Sequence, residues 1–210
     1  MIQPLLPQEI EQESFRRIEA AVGAHGLPTS QWAVVRRMIH ASAEVELLSL
    51  VRFHPQAVAA GVDALRQRRP VFTDTRMLLA GISSRLTRLN VLAQCLLDDP
   101  DVAAQAKERG LTRSAAAMEL AAAQLPGSIV AIGNAPTALR RLLALLAQGM
   151  APPALIIGLP VGFVDAAESK EALLSESCPY ITLVGPKGGS ALAASALNAL
   201  AILAEGERPI

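Results

Sequence analysis

Residues Ser128 to Phe163 read SIVAIGNAPTALRRLLALLAQGMAPPALIIGLPVGF, and their changes of texture decide the fold. The apolar runs SIVAIG and ALIIGL lack any alternation of polar and apolar positions, so each fits a strand buried on both faces. Between them PTALRRLLALLA reads as a helix, which Gly149, Pro152 and Pro153 bring to an end. Strand, Gly-containing turn, helix and strand in this order imply parallel strands covered by helices.

The same alternation continues on either side. VFTD, VLAQCLL and YITLVG read as further strands; DVAAQAKERG, TRSAAAMELAAAQL, DAAESKEALL and SALAASALNALAILA read as helices. Up to about Arg69 the chain reads as helical instead. One helix is expected over Pro7 to Val22 and another from a Thr29 or Ser30 N-cap to about Ser42. A third runs from Pro55 to Arg68, with the proline in its first turn. The expectation is an α/β fold with a mostly parallel sheet covered by helices and a helical N-terminal portion. No linker or repeat divides residues 1–210, so one domain is expected.

Composition narrows the function. The chain is 51% hydrophobic and 18% charged, which suits a large aliphatic core and excludes a disordered protein. Nineteen basic and nineteen acidic residues cancel, so no overall field draws in nucleic acid or an anionic membrane, and neither is expected as a partner. Any anionic ligand must be met locally. Cys95 and Cys178 stand alone, without zinc-ligand spacing or a disulfide framework, and a cytoplasmic setting is expected. The opening MIQPLLPQEIEQESF has no signal-peptide pattern, so secretion is not expected. The uncharged run Leu142 to Val164 could span a bilayer by length, but its glycines and prolines break it into a helix end and a strand.

Parallel sheets place ligands at the carboxyl ends of their strands. Three strand ends here carry Gly-rich turns that feed helices: IGNAPT, IGLPVGF and VGPKGGS. Such turns can bring backbone N–H groups to carboxylates or phosphates, though the glycines and prolines equally serve the turns themselves. Neither a GxGxxG fingerprint nor a P-loop is present. Arg113 follows a capping Thr112 at a helix start, where a cation opposes the helix dipole; it reads as an anion clamp or as a solvated surface arginine. Arg36, His40 and Glu44 stand at i, i+4 and i+8, with Arg37 on the flank of His40. The arginines favour a neutral imidazole and Glu44 a protonated one, a balance that suits a general acid; a structural histidine fits the same position. His25 in a turn and His54 before Pro55 are poorer candidates.

Taken together, the segments ESF with Ser14, RRMIHASAEVE, VFTDTRMLLAGISSRL, DDPDVAAQAKERGLTRSAAA, AIGNAPTALRRLL, GLPVGFVDAAESKEAL and GGSALAASALNALA resemble the precorrin-8X methylmutases. They occur in family order and cover nearly the whole chain. The resemblance implies a homodimeric α/β isomerase of cobalamin biosynthesis. Its reaction is a 1,5-sigmatropic methyl shift from macrocycle carbon 11 to carbon 12 of precorrin-8X or cobalt-precorrin-8, giving hydrogenobyrinate or cobyrinate. It implies His40 as the proton donor, and Ser14, Arg37, Ser83, Arg113 and Asn134 as substrate contacts. No cofactor and no metal site is implied, since any cobalt belongs to the substrate. The partners implied are the corrinoid substrate and product, with hand-over of the product to the next pathway enzyme. Arg140 stands where the family commonly has an aromatic residue. A non-catalytic corrinoid carrier with the same pocket is the alternative.

Overall fold

A computed structural model describes residues 6–97 and 99–206. Its centre is a six-stranded sheet in the order β1-β6-β5-β4-β2-β3. The strands are β1 (Val51–Phe53), β2 (Val71–Thr73), β3 (Ala93–Cys95), β4 (Ile129–Ile132), β5 (Leu155–Gly158) and β6 (Tyr180–Leu183). β2 through β6 pair in parallel, and only β1 runs antiparallel, along β6. The helices are α1 (Pro7–Val22), α2 (Thr29–Ser42), α3 (Leu47–Leu50), α4 (Ala57–Arg66), α5 (Arg76–Arg88), α6 (Pro100–Arg109), α7 (Arg113–Ala121), α8 (Pro136–Ala147), α9 (Ala166–Leu173) and α10 (Ser190–Glu205).

The missing alternation in β4 and β5 has the expected cause. Ile129, Ala131, Leu155, Ile157, Ile181 and Leu183 point to one face, where α2, α4, α5 and α10 cover them. Val130, Ile132 and Ile156 point to the other, against residues of α7, α8 and α9. Both faces are therefore dry. α10 is the central helix of the first layer; its alanine- and serine-rich surface lets α2, α4 and α5 approach closely.

All five expected strands form, and the run from Leu142 divides as expected, with α8 ending at Ala147 and β5 starting at Leu155. Among the described residues no helix is long and apolar enough to cross a membrane. Three elements went unread in the sequence: α3, β1 and α5. β1 has only three residues and is held by partners far along the chain, with Val184 N donating to Leu50 O at 2.9 Å and His54 N to Tyr180 O at 2.9 Å. α5 carried a readable signal. Thr75 caps it by accepting from Leu78 N, and Leu78, Ile82 and Leu86, at helical spacing, are buried. Each such side chain contributes about 1.5–3 kcal/mol by leaving water. At α2, Thr29 is the first helical residue and Pro28 takes the N-cap position without a side-chain bond, so neither hydroxyl caps as expected.

Candidate active site

The seam between α1 and α2 holds one group of the expected residues. Phe15, buried on α1, is its wedge: its ring meets the His40 imidazole edge-on at 5.3 Å, and the Arg36 and Arg37 guanidiniums lie 4.3 and 5.4 Å from its centroid. Glutamates of α1 neutralise both arginines. Glu19 takes Arg36 at 3.1 Å and also accepts from Trp32 Nε1 at 2.7 Å, while Glu11 takes Arg37 at 3.0 Å. Ser14 Oγ lies 2.7 Å from His40 Nδ1. The imidazole is thus braced by a hydroxyl and an aromatic edge, and the residue is exposed, with no hydrogen bond to its Nε2 among the described residues.

His40 opens onto a groove of about 470 Å³. Ile10, Ile18, Ile39 and Val45 make its wall apolar, and Glu13 and Arg17 supply charge. Hydrogen bonds from Arg16 and then Arg17 hold the Glu13 carboxyl well below its ordinary range, at about 2, so the groove carries a fixed anion beside the histidine. The sequence reading did not single out Glu13, because its place in one groove with His40 is set by the packing of α1 against α2 and not by a local pattern.

The expected Arg36–His40–Glu44 face is corrected by the end of α2. The helix stops at Ser42, and Ala43 adopts a left-handed conformation with φ 59°. Ser42 Oγ donates to Met38 O and accepts from Glu44 N, which turns Glu44 off the helix. Glu44 instead pairs with Lys187 Nζ at 2.9 Å, and Lys187 also pairs with Glu46. The helical ladder of spacings ends two residues after His40.

A second group lies around the N-termini of α7 and α8. Thr112 Oγ1 accepts from Ala115 N, the expected cap, and lies 2.8 Å from Thr137 Oγ1. Arg113 is therefore the first residue of α7 and is exposed beside this threonine pair. Arg140 grips Asp165 at 2.6–3.0 Å, and both line a groove of about 420 Å³ with Thr112 and Thr137. Asn134 is exposed in the neighbouring β4–α8 turn, and Ser83 is exposed on α5, where its hydroxyl donates to Ala80 O. Among the described residues no hydrogen bond, ion pair or ring contact joins Ser83, Arg113 or Asn134 to the Ser14–His40 pair.

The Gly-rich turns behave differently from an open anion cradle. Asp74, buried at the end of β2, accepts from Gly133 N at 2.9 Å and from Asn134 N and Ala135 N at 2.8 Å. The N–H groups expected to meet a ligand carboxylate already hold an internal one. Burial pushes the Asp74 carboxyl above its usual range, and the three backbone donors pull the other way by favouring the anion. Gly133 also lets the β6–α10 loop come close: a Cβ there would sit 2.6 Å from Ser190 Cα. Gly188 packs against the Leu159 and Pro160 carbonyl oxygens with no room for a side chain. Here glycine serves loop-to-loop packing.

Beneath these loops Lys170, almost fully buried, donates to the Lys187 carbonyl. Burial lowers its pKa from 10.5 to about 8. Between these values the unfolded chain binds the extra proton, so stability rises with pH; below about 8 the cost of the buried charge is present in full. The melting temperature of the wild type relative to Lys170→Met is therefore expected to rise between pH 8 and 10, by an amount equivalent to about 1–3 kcal/mol. A flat difference would show that the ammonium stays hydrated.

The other two histidines are held by local contacts. His25 Nδ1 accepts from Leu27 N and its ring stacks on Trp32 at 4.1 Å, and His54 Nδ1 accepts from Gln56 N beside Tyr180. Cys95 and Cys178 are free thiols.

A parallel α/β sheet carrying a braced, solvent-facing imidazole at a helix seam defines a candidate acid–base enzyme. Comparison with known proteins makes the class specific. The family model for precorrin-8X methylmutase matches residues 9–203. The chain is 47% identical over 197 residues to the precorrin-8X methylmutase of Pseudomonas aeruginosa, covering 92% of this chain and 94% of that protein. It is 44% identical over 200 residues to the cobalt-precorrin-8 methylmutase of Priestia megaterium, covering 95% and 89%. The crystal structure of the precorrin-8X methylmutase from Thermus thermophilus superposes with a TM-score of 0.88 at 43% identity, over 95% of this chain and 97% of that one. The chain belongs to the precorrin-8X methylmutase family, and it is an isomerase of the methyl-shifting kind.

Proposed function

We propose that this protein moves a methyl group from carbon 11 to carbon 12 of a corrin precursor, precorrin-8X or its cobalt complex, with His40 as general acid. The observation that carries the assignment of the acid is the 2.7 Å Ser14–His40 contact at the mouth of an apolar groove. With Nδ1 turned to Ser14, Nε2 is the ring nitrogen left to face the substrate, and the general-acid reading places the transferred proton there. Ser14, expected as a substrate contact, is read here as the residue that also orients the acid. Protonating the macrocycle draws electron density from the conjugated system, so the bond to carbon 11 breaks as the bond to carbon 12 forms. The proton then returns to His40, and the product is an isomer of the substrate. No electrons are gained or lost, so the reading includes no cofactor, and any cobalt arrives with the substrate.

The substrate is a wide macrocycle fringed with carboxylates, which suits an apolar surface with cations at its edges. Arg113 is assigned to one carboxylate, with Asn134, Ser83 and Arg37 as further contacts; Arg37 reaches a ligand only by sharing or leaving Glu11. The reading includes a cytoplasmic homodimer and release of the corrinoid to the next pathway enzyme.

Anaerobic incubation with precorrin-8X and cobalt-precorrin-8, side by side, tests the proposal by the visible band of the product. Binding of both without conversion of either would make the protein a carrier. Arg113→Ala is expected to weaken corrinoid binding by about 10–100-fold and to change the bound-state rate less than about threefold, because a carboxylate clamp acts on ground and transition states alike. Equilibrium titration and single-turnover kinetics separate the two. A large rate loss at unchanged affinity would contradict the clamp.

A further inference from the structure

We propose that Lys187 is a positioning residue for the methyl shift: its ammonium holds the turn at residues 43–46, so that the wall of the groove keeps its place beside His40. The proposal rests on the reading that the substrate is rearranged in that groove.

The turn divides its side chains. Ala43 and Val45 line the groove with His40, whereas the alternate residues Glu44 and Glu46 both reach Lys187 Nζ, Glu44 at 2.9 Å. Ala43, Val45 and Glu46 are exposed, so little packing fixes the turn from above. Beyond the left-handed Ala43 its own bonds are long: Leu47 N donates to Glu44 O at 3.3 Å and Leu48 N to Val45 O at 3.2 Å. This part of the groove wall therefore takes its position from whatever holds Lys187.

Lys187 stands on a braced support. It lies in the β6–α10 loop, residues 184–189, and its carbonyl accepts from the almost fully buried Lys170 of α9. On either side, Gly162 N donates to Pro186 O at 3.1 Å and Gly189 N donates to Leu159 O at 2.9 Å, while Gly188 packs directly on the Leu159 and Pro160 carbonyls. Residues 186–189 are thus fixed through their backbone, and the Lys187 side chain carries that fixity to the end of the helix that bears His40. The benefit is geometric. A half-exposed ion pair contributes little to stability, because water competes for both partners, but two carboxylates converging on one anchored ammonium set the place of the turn between them. Without the tie the apolar wall can still bind a ligand. Its displacement by about an ångström would shift the bound atoms relative to the acid, and a misplacement of that size costs up to about 100-fold in rate.

Single turnover of precorrin-8X, or of cobalt-precorrin-8 if only the cobalt complex is converted, tests the proposal together with titration by the matching product. Lys187→Met is expected to lower the bound-state rate by about 10–100-fold, with product affinity within about threefold and the urea midpoint nearly unchanged. Lys187→Arg should recover most of the rate. The pair Glu44→Gln and Glu46→Gln should show the same loss, and adding Lys187→Met to it should cost nothing more, because the tie is already broken. A normal rate in Lys187→Met overturns the proposal. So does weakened affinity at a normal rate, or a further loss in the triple variant, either of which would make Lys187 a direct contact of the substrate. A rate loss that comes with a large fall in the urea midpoint overturns it too, by showing a general structural role. His40→Ala, assayed in parallel, keeps the two readings apart: normal turnover there removes both, whereas lost turnover there with a normal rate in Lys187→Met removes only the positioning role.

Discussion

Replacing His40 with alanine is expected to slow methyl migration by about 10²–10⁴-fold while corrinoid affinity stays within about threefold, the range for loss of a positioned general acid. The separation of rate from affinity follows from the geometry. The imidazole is an exposed edge of the groove, and apolar residues such as Ile10, Ile39 and Val45 make its wall. Removing the ring takes away a proton and little contact area. Single-turnover kinetics on enzyme-bound substrate measures the first quantity and titration with product the second. Ser14→Ala should cost less, about tenfold in rate, because it removes the bond that orients His40 and leaves the acid itself in place. If Ser14 were mainly a substrate contact, Ser14→Ala would instead raise the dissociation constant and spare the bound-state rate. If His40→Ala turned over normally, the proton would have to come from elsewhere, and Glu13, held as an anion by two arginines, is a poor source.

The fold was legible because a parallel sheet buried on both faces leaves unbroken apolar runs, and β4, β5 and β6 are such runs. β1 was not legible, because three residues carry no period and their place is set by β6, about 130 residues further on. α5 could have been read from its capping Thr75 and its buried Leu78, Ile82 and Leu86. At the candidate site, helical spacing put Arg37 and His40 on one helix, as they stand in α2, but placed Glu44 on the wrong face, since the left-handed turn at Ala43 gives no strong signal when the residue is not glycine. The Ser14–His40 contact joins residues of different helices, and no local pattern encodes it; family likeness supplied Ser14, and the structure supplied its bond. The reading of IGNAPT as a possible ligand cradle had the right physics, N–H groups converging on an anion, and the wrong anion.

That internal anion gives the largest expected stability effect. Asp74→Ala should destabilise the protein by about 3–5 kcal/mol, and Asp74→Asn by about half as much. In the wild type one carboxylate oxygen serves Gly133 N and the other serves both Asn134 N and Ala135 N. Alanine strands all three donors at a buried turn. Asparagine keeps one carbonyl oxygen: turned toward Asn134 and Ala135, it satisfies two donors and sets its own NH₂ against Gly133 N–H. Urea unfolding should show a lower midpoint for both variants at unchanged slope, in the order wild type, Asn, Ala. The opposing effect is the burial that raises the Asp74 pKa, since neutral replacements remove a costly buried charge. If that cost outweighed the three bonds, Asn and Ala would match or exceed the wild type, and Asp74 would have to be explained by function instead. The predicted order requires the bonds to win. The consequence reaches the site, because the same turn presents Asn134 and starts α8, whose Thr137 meets the Thr112 cap beside Arg113. Loss of Asp74 should therefore weaken corrinoid binding under conditions where the variant remains folded.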